Sequence, residues 1–191
     1  MDRTLRWMRE NLSGARRAVH PPGDPHAGAP CTNSGTALLT CCYIDALGKV
    51  LLRGKGGNKQ RFLRFVRGCM KEFLDAASTR ALPPAPSGRS GGDEWLWEYR
   101  CGFVHGFFPP NARWRRSTRR RYWTGRRGVT LNVDMLVEAF LAGLEKFRLA
   151  VDRAPDMRAN FVTYITMPDE RRRGAKGRQQ VNRSRGVRRS A

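Results

Sequence analysis

The sequence predicts an all-α protein, an up-and-down bundle of helices interrupted by one basic insertion. Two observations favour this class: apolar residues recur every three or four positions over several long segments, and loops rich in proline and glycine separate those segments. A chain of 191 residues, 40% of them hydrophobic, is long enough for one domain with its own core. We expect an N-terminal helix and loop over residues 1–35, the bundle over 36–167 and a disordered arginine-rich tail over 168–191.

The first half of the chain contains three predicted helices. The first covers residues 2–19, and a loop rich in proline and glycine follows at 20–34. A strongly apolar helix over 36–52 ends at a run of glycines. The next helix, over 59–77, is the most clearly amphipathic segment of the chain. The flexible linker 82–92 then leads to the second half.

The second half begins with a helix that Asp93 can cap and that Pro109-Pro110 stops. Residues 111–131 are expected to be irregular or to form a small basic hairpin. A longer helix starts after Asn132 and runs to about residue 152, and a short helix follows at 156–165. The apolar residues of the longer helix predict one buried seam: Leu136, Phe140, Leu144, Phe147 and Val151.

The formal charge of +21 is concentrated in two segments, which indicates a polyanionic partner. Residues 113–127 contain eight arginines and no acid, and residues 169–191 contain eight arginines and one lysine against two acids. Clustered cations attract nucleic acid first, through counterion release. A base-composition bias of the genome is the alternative explanation for the excess of arginine over lysine. Because no run of about 20 apolar residues and no apolar secretory signal occurs, we expect a cytoplasmic protein without a membrane partner.

Five cysteines occur without a CxxC pair, which argues against both a disulfide framework and a zinc site. Four of them are expected to act as small buried hydrophobic residues: Cys41, Cys42, Cys69 and Cys101. We therefore expect no metal and no other cofactor.

The segment 96–107, LWEYRCGFVHGF, places Arg100 and His105 in an otherwise apolar helix. Both are costly to bury, so a folded domain keeps them there only with a partner or a function. On a helical wheel, Leu96, Tyr99, Phe103 and Phe107 form a stripe that faces the core. Arg100 and His105 flank a second, outward face, with Cys101 and Val104 between them.

In the order of its elements, the chain resembles the HEPN superfamily of helical bundles. The resemblance covers about residues 36–165 and is carried by YIDALGK (43–49), FLRFVRGCMKEF (62–73) and above all YRCGFVHGF (99–107). It implies a metal-independent endoribonuclease in which the Arg–His motifs of two subunits meet in one cleft. A homodimer, an RNA substrate, a toxin or phage-defence role and an antitoxin partner follow as expectations.

The resemblance also implies roles for the site residues. His105 would transfer a proton as general acid or base, and Arg100 would bind the phosphate, giving a 2′,3′-cyclic phosphate end. Asp45 would orient His105 or pair with Arg100; a purely structural role is the alternative. Cys101 stands where catalytic members carry a polar residue, which favours the second hypothesis, a non-catalytic module that binds nucleic acid or a protein partner.

The basic insertion alternates arginines with aromatic residues, a composition suited to phosphates and unpaired bases. The alternative is a solvated loop with its aromatic rings packed on the bundle. The residues that we expect to contact RNA are Arg113, Trp114, Arg115, Arg116, Arg119, Arg120, Arg121 and Trp123.

Overall fold

The computed structural model describes residues 1–17, 30–105, 112–115, 122–124 and 129–166, and these are predominantly helical, as predicted. In chain order, their helices are α1 (Asp2–Arg17), α2 (Pro30–Leu51), α3 (Asn58–Cys69), α4 (Lys71–Asp75), α5 (Ala77–Arg80), α6 (Gly92–His105), α7 (Val133–Arg153) and α8 (Pro155–Phe161), followed by a π-helical turn, Val162–Thr166. None of the helices in this part of the chain has the length and apolar character needed to cross a membrane. The expected disordered tail lies outside the described residues.

Two predicted boundaries were wrong. Helix α2 begins at Pro30, inside the segment expected to be a loop; a proline fits the first helical position because its missing N–H has no partner there. The single helix predicted over 59–77 is divided into α3 and α4 by a break at Met70, and a second break at Ala76 separates α4 from α5. Beyond the first break, the buried Phe73 ring packs edge-on against Tyr122, with 5.0 Å between the ring centroids.

The core lies between α2, α3, α6 and α7 and is rich in phenylalanine. Phe65 contacts Phe140 and Phe147 at centroid distances of 5.7 and 6.1 Å, and Phe147 continues to Phe161 at 6.2 Å. Each such ring pair adds about 0.5–1.5 kcal/mol to the stabilisation that burial provides. All five residues of the predicted α7 seam are buried, which confirms the amphipathic pattern of this helix.

A glycine allows α2 and α3 to approach each other closely. A Cβ atom at Gly48 would lie 2.0 Å from the carbonyl oxygen of Arg61, well inside van der Waals contact. Since Asp45 lies one turn before Gly48 on α2, this contact also fixes the distance between Asp45 and α3. The YIDALGK segment therefore has a packing role in addition to any chemical one.

The basic insertion contains three short strands, β1 (Ala112–Arg115), β2 (Trp123–Thr124) and β3 (Val129–Asn132), rather than a simple hairpin. Strand β3 is central: it pairs parallel with β1 and antiparallel with β2. The hydroxyl of Tyr99 on α6 donates to the carbonyl of Val129, which joins the sheet to the bundle. Asn132 ends β3 and caps α7, its side chain accepting a bond from the Asp134 N–H at 3.2 Å.

Candidate functional site

Helix α6 presents one face to the core and another to solvent. Leu96 and Tyr99 are fully buried, as the helical wheel predicts, whereas 51% of Val104 is exposed. The Arg100 side chain lies between these extremes, 16% exposed. Arg100 therefore lies at the border between core and surface.

Asp45 on α2 is the ion-pair partner of Arg100. The Nε and Nη2 atoms of Arg100 both donate to Oδ2 of Asp45, at 2.8 and 2.7 Å. The guanidinium also lies 5.1 Å from the ring centroid of Trp97, which in turn packs edge-on against Phe62 of α3 at 5.5 Å. Asp45 was expected either to orient His105 or to pair with Arg100, and the structure shows the pairing with Arg100. This pairing uses two of the five N–H donors of the guanidinium.

Burial and pairing act in opposite directions on the two charges. Burial raises the pKa of Asp45 above its ordinary value, and the hydrogen bonds and charge of Arg100 only partly oppose that rise. Burial works to lower the pKa of Arg100, but the hydrogen bonds and charge of Asp45 outweigh it, so the pKa is raised. Arg100 is therefore a permanent cation at this position, and the carboxyl of Asp45 is the member of the pair whose charge responds to pH.

The neighbouring thiols are not activated for nucleophilic chemistry. Burial raises the pKa of the half-buried Cys101, although the charge of Arg100 opposes that rise. Cys41 on α2 is fully buried, and burial raises its pKa as well. Cys42 is exposed, so its prediction as a buried residue was wrong: it follows Cys41 by 100° around the helix and faces solvent. Thiols with raised pKa values stay protonated at neutral pH.

His105 is the last residue of α6, five positions after Arg100. In helical geometry this separates the two Cα atoms by about 7.5 Å along the axis and about 140° around it. The His105 side chain lies outside what the structure describes, so its role stays a prediction.

The predicted RNA contacts fall on the basic insertion. Arg113, Trp114 and Arg115 belong to β1 and Trp123 to β2, and the register places Trp114 and Trp123 on either side of Leu131. Their side chains, and the whole of Arg116, Arg119, Arg120 and Arg121, lie outside the described residues.

Sequence reasoning missed an ion-pair cluster between α3 and the start of α6. Lys59 lies 2.6 Å from the buried carboxylate of Glu94, and Nε of Arg67 lies 2.6 Å from Asp93. Asp93 is the second residue of α6 rather than its cap, because the helix begins at Gly92. The adjacent acids at 93 and 94 were the available signal, but spacing along the chain does not show which cations they meet.

No family model matches this chain, and no curated protein or solved structure is similar to it.

Proposed function

We propose that this chain is a metal-independent endoribonuclease with a HEPN-type, up-and-down bundle topology. One observation carries the proposal: Arg100 is held by Asp45 on the side of α6 that borders solvent, within the motif that also contains His105. Two bonds to one carboxylate oxygen fix the plane of the guanidinium, and a planar fork of donors suits the oxygens of a phosphate.

The chemistry needs an acid or base and a cation, and no metal. The RNA 2′-OH attacks the adjacent phosphorus, the bond to the 5′ oxygen breaks, and a 2′,3′-cyclic phosphate and a 5′-OH result. His105 takes the proton from the 2′-OH or delivers one to the leaving oxygen, since an ordinary histidine titrates near neutral pH. Arg100 stabilises the charge that grows on the phosphate oxygens. Asp45 acts through Arg100 as a positioning residue.

The proposal includes a homodimer in which two such motifs share one cleft, and an antitoxin or other regulator that restrains the nuclease. Val104, one turn after Arg100, exposes half of its apolar side chain on the same helix. A second copy of α6 packed there would cover this side chain and bring the two arginines together.

Cleavage of labelled RNA in EDTA tests the proposal. We expect the wild-type protein to leave 2′,3′-cyclic phosphate ends, and His105→Ala to lower the rate by about 100-fold or more. Arg100→Lys keeps the charge but loses the fork, and we expect a large loss here as well. His26→Ala is the matched control, because it removes a histidine outside the motif. Absence of cleavage by wild type, or equal rates for wild type and His105→Ala, would overturn the proposal.

A second candidate function, RNA binding without cleavage, is favoured by two features of the same site. Asp45 already neutralises Arg100, and Cys101 is a protonated thiol next to it. In that case the wild-type protein binds RNA in a salt-dependent manner in EDTA and leaves the RNA intact.

A further inference from the structure

Besides the insertion and the tail, the sequence contains a third basic segment, which covers α3 and the residues on either side of it. Residues 55–71 contain six cations and no acid, and the structure describes every one of them: Lys55, Lys59, Arg61, Arg64, Arg67 and Lys71. Some of these cations form bonds that stabilise the fold, and the others face solvent.

Three of these cations serve the packing of α3. Lys59 and Arg67 pair with Glu94 and Asp93 at the start of α6. Arg61 donates to the carbonyls of Gly54 and Lys55, at 2.7 and 3.0 Å, and so satisfies the chain just after the end of α2. These bonds fix α3 between α2 and α6.

Within the described part of the chain, the side chains of the other three cations make no such bond. Lys55 precedes α3, and Arg64 and Lys71 lie further along the segment. Both are exposed, and among the described residues no carboxylate lies within ion-pair distance of either. Glu72, next to Lys71, is held by Lys146 at 2.5 and 2.6 Å. Arg67 lies one turn after Arg64, and 56% of its side chain is exposed despite its bond to Asp93.

Gly68 lies on the same face, one turn after Arg64. A Cβ atom there would meet nothing within 4 Å, so packing does not require a glycine, although glycine lowers helix stability. A glycine between exposed cations lets the backbone of a ligand approach the helix closely.

We propose that an outward surface, formed by Arg64, Arg67 and Gly68 of α3 and by Lys71, the first residue of α4, binds the phosphodiester backbone of RNA. The cations contact successive phosphates, and the strand passes over Gly68. Helix α3 also packs beside α6, through Phe62 and Trp97, so RNA on this face lies on an element adjoining the Arg100 site. The inference needs no cleavage chemistry and therefore goes beyond the proposed nuclease.

Salt-dependent binding of a labelled 2′-O-methyl RNA oligonucleotide, which a 2′-OH mechanism cannot cleave, tests the surface. The variant combines Arg64→Gln and Lys71→Gln, and the control combines Arg3→Gln and Arg6→Gln, which removes the same charge from exposed positions on α1. For a single strand, each lost phosphate contact lowers the slope of log affinity against log salt by about 0.7, so we expect a drop of about 1.4 in the variant. Equal slopes in variant and control would overturn the proposal.

The close approach over Gly68 has its own test. Gly68→Gln keeps every charge but places a side chain under the strand, so we expect weaker RNA binding. Gly14→Gln on α1 is the control, since a Cβ atom there also meets nothing within 4 Å. Equal affinities for the two variants contradict the approach over Gly68. A loss of binding to anionic vesicles but not to RNA in the Arg64/Lys71 variant would assign the face to lipid headgroups and overturn the proposal.

The failures of the two proposals are distinguishable. A protein that cleaves no RNA in EDTA but shows the drop in salt slope fails as the proposed nuclease and keeps its RNA surface on α3. A protein that cleaves RNA through His105 with an unchanged slope in the Arg64/Lys71 variant keeps the nuclease and loses this surface.

Discussion

Gly48→Ala tests the close packing of α2 against α3. The added Cβ atom would lie 2.0 Å from the Arg61 carbonyl oxygen and 2.6 Å from its carbon, and a carbon–oxygen contact needs more than about 3 Å. The two helices must therefore separate by roughly 1 Å, and a gap of that size removes a quarter to a half of the dispersion energy of each contact.

The magnitude follows from two opposing effects. Overpacking against rigid backbone costs about 3 kcal/mol, and the higher helix propensity of alanine returns about 1 kcal/mol. We expect the free energy of unfolding to fall by about 2 kcal/mol, measured by urea denaturation followed by far-UV circular dichroism.

Two other glycines provide matched controls. Gly68→Ala adds a Cβ atom in open space, so we expect a gain of about 0.5 kcal/mol. At Gly143 the new Cβ atom would lie 3.1 Å from both the Cys69 carbonyl oxygen and the flexible Met70 side chain. For Gly143→Ala we therefore expect a free energy of unfolding between those of Gly48→Ala and Gly68→Ala. If Gly48→Ala proves as stable as wild type, or Gly68→Ala the less stable of the two, the reasoning is refuted.

Two further predictions concern a helix cap and a titrating group. Asn132→Ala removes the acceptor that caps α7 and should lower the free energy of unfolding by about 1 kcal/mol in the same denaturation assay; an unchanged midpoint would show that the cap is dispensable. Because burial raises the pKa of Asp45, the folded state keeps its proton at a higher pH than the unfolded chain. The contribution of Asp45 to the free energy of unfolding therefore falls as the pH rises through the region just above 3.8, whereas the lowered pKa values of Glu72 and Glu145 act in the opposite direction. Asp45→Asn lacks this titration, and its stability relative to wild type should therefore increase over that region; the opposite trend would mean that Arg100 outweighs burial.

The sequence predicted the elements that depend on local periodicity. Helix α7 starts after Asn132 and buries the expected seam, and on α6 the buried Tyr99 and exposed Val104 fall on the expected faces. Apolar spacing decides both results within a single helix. The sequence also indicated Arg100 as one of two expected partners of Asp45. Both are charged residues on apolar helices, and a buried charge is stable only when an opposite charge lies beside it.

Three of the missed features depend on contacts between distant parts of the chain. The apolar spacing of 59–77 continues across Met70, and Gly68 lies inside α3 rather than at the break, so the pattern does not mark the break that precedes Phe73. Strands β1 and β3 pair in parallel with Ala112 opposite Val129, although the two residues lie far apart in the sequence. Each strand has only four residues, so an alternation of apolar and polar residues is difficult to recognise. The pairing of Lys59 with Glu94 likewise depends on how two helices meet, which helical periodicity does not specify.

The π-helical turn after α8 determines where the chain can be shortened. The Tyr164 hydroxyl donates to the Arg53 carbonyl at 2.9 Å, and its ring lies beneath Lys49 at 5.5 Å. Gly54 adopts a φ of +73° beside this ring, and a Cβ atom there would lie 2.4 Å from the hydroxyl oxygen. A truncation after Thr166 preserves these contacts of Tyr164 with the end of α2, whereas a truncation after Phe161 removes them. We therefore expect a fragment that ends after Thr166 to be more stable than one that ends after Phe161.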